Sequence, residues 1–180
     1  RDIEFTCMQG TYVADTDVST ARKTRGLGAA LTTNKINAGG DALTQADIDN
    51  ALKSMADNGA PFENVVLFAN AANKQLISSF YSNSLALAPR DRNIGGVNIN
   101  TIETDFCEMG VVYERHIPAT QVFLIDMNFC KPVFLDIPGK GHFFVEPLAQ
   151  SGAAYKYQVY GEFGLEYGPE QFHGNIHSTA

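Results

Sequence analysis

The chain has 180 residues, a length typical of one domain or of one domain with a subdomain. Its 13 Lys and Arg residues against 20 Asp and Glu give a formal charge of −7, which argues against a protein that coats nucleic acid or docks on anionic lipid. No apolar run approaches the ~20 residues that a membrane-spanning helix needs. Charged residues make up only 18% of the chain and apolar residues 44%, so we expect uncharged surface that partner subunits cover.

Residues 1–43 predict an extended N-terminal segment without regular structure. Glycines and a basic cluster at 22–25 are typical of loops, and only 3–6 indicates a short strand. We expect Arg22, Lys23 and Arg25 to pair with an acidic neighbour, because three cations are too few for a nucleic-acid footprint. A patternless stretch of this length is unusual inside a self-contained domain, so we expect it to lie against something else. Since the chain begins with Arg1, we also expect a processed or trimmed product.

Residues 44–96 predict a helix–strand–helix unit. Thr44 and Asp47 have the spacing of a helix N-terminal cap, and Gly59 is suited to terminate the helix. An apolar stripe follows at helical spacing, formed by Ile48, Ala51, Leu52 and Met55. The apolar run 65–69 predicts a strand covered on both faces, and 71–81 predicts a second helix. The buried side of that helix is predicted to be Leu76, Ile77, Phe80 and Tyr81.

Residues 97–180 predict a β-rich region of short, proline-punctuated strands. Its most informative stretch, 155–167, alternates over 13 residues and predicts one long strand of about 43 Å. Typical strands have about 5–6 residues, so a strand of this length favours an elongated protein over a compact enzyme. The glycines at 161 and 164 are interpreted as a bulge or bend within that strand.

The search for chemistry predicts no catalytic, cofactor-binding or metal-binding residue. The Gly26–Leu31 motif lacks the third glycine of a dinucleotide fingerprint, Gly139–His142 reads as a hairpin turn, and 91–96 lacks the glutamate that completes a calcium loop. We interpret His173 and His177 as exposed tail residues. The cysteines are odd in number and widely spaced, which favours reduced thiols; they are Cys7, Cys107 and Cys130.

Several segments, in order and spacing, resemble the tailed-phage and prophage major capsid proteins with the Hong Kong 97-type fold. The resemblance covers roughly 26–178 and rests on Gly26–Gly28, Thr33–Asn34, Asn64–Phe68, Asn73–Ser78, Ile102–Phe106, Glu114–Pro118, Val122–Asp126 and Leu148–Gly152. It implies an α+β subunit of a virion shell, present in the bacterial host cytoplasm before assembly. It further implies pentamers and hexamers around packaged DNA, with neighbouring capsid subunits, scaffold or portal as partners and no sequence-specific nucleic acid or membrane.

In the terms of that family, 44–96 is expected to be an axial-type unit and the long strand to belong to a peripheral-type β region. The sequence shows no pattern for the family's long spine helix, so we expect the C-terminal part of a longer subunit. Two other function classes stay open. One is a hydrolase-like enzyme with dispersed residues at Asp105, Glu108 and His116. The other is a ligand-binding β-domain that uses Tyr155, Tyr157 and Tyr167.

Overall fold

The computed structural model describes residues 2–14, 22–82, 92–94, 97–150 and 152–179, with the backbone alone at 81–82, 92–94 and 97–100. Its α-helices are α1 (Asp2–Gln9), α2 (Leu27–Ala30), α3 (Gln45–Asp57) and α4 (Ala71–Ser82). Its strands are β1 (Lys35–Asn37), β2 (Val65–Ala69), β3 (Arg92–Ile94), β4 (Val97–Glu103), β5 (Glu108–Tyr113), β6 (Gln121–Asp126), β7 (Lys131–Phe134), β8 (Phe143–Pro147), β9 (Tyr157–Gly161), β10 (Phe163–Glu166) and β11 (Gly174–His177). A 3₁₀ turn covers Glu170–Phe172.

Within these residues a seven-stranded mixed sheet forms the centre of the fold, in the order β1-β11-β6-β2-β5-β4-β3. The pairs β1–β11 and β2–β5 are parallel, and the other neighbouring pairs are antiparallel. The sheet takes strands from all three sequence segments, since β1 lies in 1–43, β2 and β3 in 44–96, and the others in 97–180.

Helix α3 confirms the clearest sequence prediction. The Thr44 side chain accepts from the Asp47 N–H, and the Asp47 carboxylate accepts from the Thr44 N–H at 2.9 Å, so two free backbone donors are satisfied. Gly59 follows the helix with φ +82°, a left-handed conformation that favours glycine. The predicted apolar stripe is buried, with Ile48, Ala51, Leu52 and Met55 all at 0% exposure.

The apolar run of β6 is explained by cover on both faces of the sheet. Val122 and Leu124 pack into the cluster under α3 and α4, whereas Phe123 and Ile125 pack into a second cluster on the opposite face, and all four are fully buried. The second cluster contains Leu27 of α2, so the N-terminal segment covers that face. The predicted strand 65–69 is confirmed as β2. In α4, Ile77 is buried, while Leu76 and Phe80 are half-buried and the Tyr81 side chain lies outside the described residues.

The expectation of an irregular N-terminal segment with a strand at 3–6 is wrong, because Asp2–Gln9 forms α1. None of its residues is fully buried, and its apolar residues Ile3, Phe5 and Cys7 alternate along the sequence as in a strand. A close crossing of two glycines holds it in place. The Gly26 N–H donates to the Gly10 carbonyl at 2.8 Å, and a Cβ on Gly10 would lie only 2.6 Å from the Thr24 carbonyl oxygen.

The interpretation of the last residues as an exposed tail is also wrong. Gly174–His177 forms β11, which lies between the edge strand β1 and β6, second from one edge of the sheet, and His173 is fully buried. Strand ladders on both sides satisfy its backbone, and Ile176 packs into the cluster under α3. A strand with only one large apolar residue gives almost no alternating pattern.

The single long strand predicted at 155–167 is interrupted at Glu162. Tyr157–Gly161 pairs with β8 and Phe163–Glu166 pairs with β7, both antiparallel. Residues 131–147 and 157–166 therefore form a two-stranded ribbon, which we call the outer ribbon. The predicted turn at Gly139–His142 is present as an excursion between β7 and β8, bridged from Ile137 to Gly141, but it does not join those two strands as a hairpin. Among the described residues, no helix combines the length and apolar character that crossing a bilayer requires.

Candidate functional site

One face of the outer ribbon is apolar and open to solvent. In the register of β8 and β9, Val145 lies opposite Val159, Pro147 opposite Tyr157 and Phe143 opposite Gly161. Directly opposed residues of an antiparallel pair share a face, so these side chains form one surface, which we call the apolar ribbon face. Val145 is 62% exposed, Tyr157 66% and Val159 71%. The face contains no charged residue.

The opposite face of the outer ribbon differs because its groups interact with one another. The Phe144 and Tyr160 rings lie 5.6 Å apart, and the Lys140 ammonium lies 4.8 Å from the Phe144 ring centroid. Lys140 also pairs with Glu146, and the Tyr160 hydroxyl donates to Glu162, which raises the pKa of the tyrosine. The ribbon is therefore amphipathic, with polar groups paired on one face and apolar groups uncovered on the other.

The base of the outer ribbon is tied to the N-terminal segment. Arg22 lies 3.4 Å from the Glu162 carboxylate, which confirms the expected acidic neighbour for this residue of the basic cluster. The Thr24 hydroxyl donates to the Phe163 carbonyl at 2.8 Å, and the Arg25 guanidinium lies 5.0 Å from the centroid of the Tyr12 ring. These groups border a cleft of about 1390 Å³ between the N-terminal residues and strands β9 and β10.

A hydrogen-bonded clamp joins the N-terminal segment, α3 and the C-terminal strand around Asn34, which is 1% exposed. Its amide nitrogen donates to the carbonyls of Gln171 and His173, and its amide oxygen accepts from Ser54 and Asn58, at distances from 2.6 to 2.9 Å. All four hydrogen-bonding positions of this amide are therefore filled.

Glu170 extends the clamp. Its carboxylate accepts from the backbone N–H groups of Thr32 and Thr33, at 2.7 and 3.3 Å, and from both threonine hydroxyls. Burial opposes ionisation of this carboxyl, but the donated hydrogen bonds outweigh it, and the net pKa is lowered. The clamp fixes where the chain leaves the ribbon and enters β11.

His173 lies at the same junction in a neutral form. Its Nε2 is 2.6 Å from the Tyr167 carbonyl oxygen, which can only accept, so Nε2 carries the proton. Its Nδ1 accepts from the Asp126 N–H at 3.1 Å. Burial lowers the pKa of the imidazole, against smaller opposing effects of the Tyr167 carbonyl, Asp126 and Glu170. The buried histidine serves as a structural hydrogen-bonding group between the ribbon and the sheet.

The structure separates two of the three residues of the enzyme alternative, Glu108 and His116. Glu108 begins β5, whereas His116 follows its end at Tyr113, and the strand between them spans about 17 Å at ~3.3 Å per residue. His116 lies beside α1 instead, 3.3 Å from the Glu4 carboxylate. Glu103 lies opposite Glu108 in the register of β4 and β5, so the residue across the ladder from Glu108 is another carboxylate. The general acid–base geometry that Glu108 and His116 would need is absent.

The remaining candidate residues have structural roles or are exposed to solvent. Tyr167 packs against the cluster around Phe123, whereas Tyr157 on the outer ribbon and Tyr155 just before it are exposed and do not line the cleft that Tyr167 borders. All three cysteines are free and half-buried, and burial raises the pKa of each thiol, to about 11 for Cys130. Asp91, with which the rejected calcium motif begins, lies outside the described residues. In the part of the chain that is described, no cluster of three or more His, Cys, Asp or Glu is positioned to hold a metal ion.

The model of the SU10 major capsid protein family matches residues 1–180. The chain belongs to the SU10 major capsid protein family. The resemblance to phage major capsid proteins is thereby confirmed, and membership of this family supports a structural capsid role for the chain. The sequence has no significant match among curated proteins.

Several solved structures show the same fold. A chain of the holo-SrpI encapsulin complex from Synechococcus elongatus matches with a TM-score of 0.67 and 13% identity, over 86% of this chain and 56% of that one. The cyanophage A-1(L) capsid matches with a TM-score of 0.54 and 12% identity, over 95% and 58%. A chain of Mycobacterium phage Patience gives 0.56 and 12%, over 81% and 48%. The capsid chain thus has the predicted α+β fold of the Hong Kong 97 type and spans about half the length of these structures.

Outside these assignments, the apolar ribbon face is the main candidate surface that sequence reasoning missed. The alternation at 155–167 was visible, and it correctly placed Tyr157 and Val159 on one side of a strand. That this side is uncovered became clear only from the pairing with β8. In a capsid chain, such a face is a candidate contact with other subunits.

Proposed function

We propose that the capsid chain is part of a subunit that assembles into a closed icosahedral shell around viral DNA, built from pentamers and hexamers. The observation that carries this proposal is the family match over the whole chain. The outer ribbon supports it, because a chain that folds around a buried sheet yet leaves an apolar ribbon face in water is suited to further assembly. The shell is the virion capsid, and its subunits reside in the bacterial host cytoplasm before they assemble.

The proposed shell role includes no catalysis. The separation of Glu108 from His116 along β5 supports this part of the proposal, as does the structural use of His173 between ribbon and sheet. Partners are neighbouring capsid subunits, together with scaffold and portal components. The charge of −7 disfavours direct coating of DNA by this chain, so enclosure of the genome depends on the shell rather than on sequence-specific contacts.

We assign the segment 44–96, which contains α3, β2 and α4, to the axial-type unit, and the outer ribbon within 97–180 to the peripheral-type β region. The helix–strand–helix order and the burial of α3 against the sheet support the first assignment. The exposure of β7, β8 and β9 supports the second, because peripheral strands are expected to meet other subunits.

Electron microscopy of the expressed full-length subunit tests the proposed function. We expect closed particles or rings of capsomers at micromolar concentration, with sizes that fall into discrete classes because symmetric closure permits only certain assemblies. A subunit that stays monomeric over the full concentration range, in the presence and absence of salt, would contradict the shell role.

A further inference from the structure

We propose that the apolar ribbon face of one subunit packs against the ribbon of a neighbouring copy of the same chain. This inference rests on the proposed shell function and names the surface that would carry one of its contacts. It places Val145, Tyr157 and Val159 at the centre of the contact, with Phe143 and Pro147 beside them.

The first argument is that the outer ribbon buries little surface by itself. Every described residue of β7 is exposed, and in β8 and β9 the exceptions are Phe144 and Gly161. An isolated two-stranded ribbon is marginally stable at best in water and needs packing on at least one face. The sheet, α1 and α2 reach its base at Leu165 and Tyr167, but the apolar ribbon face lies beyond them, in β8 and β9.

The second argument concerns area. Large aromatic side chains bury about 150–250 Å² each, and the three central residues of this face each expose more than half of their surface. The face therefore offers several hundred Å² of apolar area, on the order of the largest patch that a typical monomer exposes. A stable interface needs about 800 Å² per partner, so this contact is one of several on a shell subunit.

The third argument identifies the molecule that covers the apolar ribbon face. The apolar ribbon face carries no charged group, whereas the nearby charges are already paired on the opposite face, as Lys140 with Glu146 and as Arg22 with Glu162. Two copies of the face can therefore meet without burying a charge, which would cost several kcal/mol if unpaired. The chain's charge of −7 disfavours nucleic acid as the cover. Every subunit of a shell also presents the same ribbon to its neighbours.

The test compares two aspartate substitutions on the same strand. Val159→Asp places a carboxylate on the apolar ribbon face, and Gln158→Asp places the same charge on the opposite face, at the preceding residue, which is also exposed. In the full-length subunit we expect Val159→Asp to lower the assembled fraction at least about tenfold in sedimentation and electron microscopy. Gln158→Asp is expected to assemble like the wild type, and both variants should keep the wild-type circular dichroism spectrum.

A second measurement covers the case in which Val159→Asp fails to fold. Val159→Cys changes the volume little, and a short bismaleimide should link it between copies, because packed ribbons lie about 10 Å apart. Gln158→Cys is the matched control, and the wild type with its three half-buried cysteines gives the background. Cross-linked multimers from the cysteine at 159, and not from that at 158, would support the contact.

The outcomes separate the two proposals. Normal shells from Val159→Asp, equal loss of assembly in both aspartate variants, or equal cross-linking at both cysteines would overturn the ribbon contact while leaving the shell role in place. If Val159→Asp forms normal shells that no longer bind a second protein, the face belongs to that protein, and the ribbon contact between copies is overturned as well. If the wild type forms no particles and yet the Val159→Cys variant is cross-linked between copies, the shell role fails and the ribbon contact stands.

Discussion

Strands β6 and β9 contain similar side chains in very different surroundings. In β6, Val122–Ile125 is fully buried between two apolar clusters, whereas in β9 Tyr157 and Val159 leave most of their surface in water. The difference comes from what the chain supplies as cover. Helices α3 and α4 and the N-terminal segment cover the sheet, and no described part of the chain covers the apolar ribbon face. The sheet is therefore expected to depend on the subunit's own interactions, and the outer ribbon on those of the assembly.

The largest expected effect is on the sheet side of this comparison. Leu52→Asp introduces a charge at a position with 0% exposure, where it has no partner. We expect the free energy of unfolding to fall by more than about 4 kcal/mol, enough to unfold many subunits. Urea unfolding followed by circular dichroism measures the loss. Asn50→Asp adds the same charge to the exposed side of α3 and should change little; an unchanged melting curve for Leu52→Asp would contradict the packing of this helix.

Asn34→Ala is expected to have the next largest effect. It removes four side-chain hydrogen bonds and leaves Ser54 and Asn58 without their shared acceptor. Since a buried polar group left unsatisfied costs about 1–3 kcal/mol, we expect a loss of about 2–4 kcal/mol in urea unfolding. Asn50→Ala on the exposed side of α3 provides the control and should stay within about 0.5 kcal/mol of the wild type. Equal stability of the two variants would show that the hydrogen bonds of Asn34 do not stabilise the fold.

The difference between α3 and β11 explains how much of the sheet could be predicted. Helix α3 carries its signals locally, in the Thr44 cap and the apolar spacing of the following residues, and these predicted it well. Strand β11 depends on ladders with β1 and β6, whose partner residues lie fifty or more positions away in sequence. Its single large apolar residue, Ile176, gave no pattern, and the buried His173 was therefore misread as part of a tail.

The alternation of side chains in the outer ribbon could be predicted from the sequence, but the pairing of its strands could not. Alternation placed the side chains of 157–166 correctly, yet the interruption at Glu162 follows from a change of partner, from β8 to β7. Helix α1 could not be found at all, because its residues are not buried and the Gly10–Gly26 crossing that holds it joins two stretches separated along the chain. Non-local contacts of this kind leave little trace in a single sequence.

A pH titration should sharpen the comparison at the junction of ribbon and sheet. The pKa of His173 in the folded chain lies below its ordinary value of 6.5, so the unfolded chain takes up a proton more readily. The stability that the neutral ring provides is present above pH 6.5 and is lost as the pH falls below it. The lowered pKa of Glu170 acts only below its ordinary value of 4.5, so the interval from pH 6.5 to 5 isolates the histidine.

The measurement is urea unfolding of the wild type and of His173→Gln at pH 8 and pH 5. Glutamine cannot titrate, so the stability advantage of the wild type should shrink on acidification. A constant difference between the two proteins over this interval would show that the protonation of His173 is not coupled to folding.

The smallest effect on global stability is expected within the ribbon. A Cβ at Gly161 would overlap the Phe143 ring and lie 2.9 Å from the His142 carbonyl oxygen, whereas a Cβ at Gly164 would meet open space. We expect Gly161→Ala to change global unfolding by less than about 1 kcal/mol but to increase proteolytic cleavage within 131–166. Gly164→Ala is the matched control. Equal cleavage of the two variants would contradict the close contact of Phe143 with the opposite strand.

Hydrogen–deuterium exchange on free subunits and on assembled particles tests most directly whether the ribbon depends on the assembly. We expect β2 and β6 to be protected in both states, because the subunit itself covers them. Residues 143–147 and 157–161 should exchange rapidly in the free subunit and slow at least about tenfold in the particle. Equal exchange of these ribbon residues in both states, with assembly verified in the same sample, would contradict the central claim that other subunits complete the packing of this ribbon.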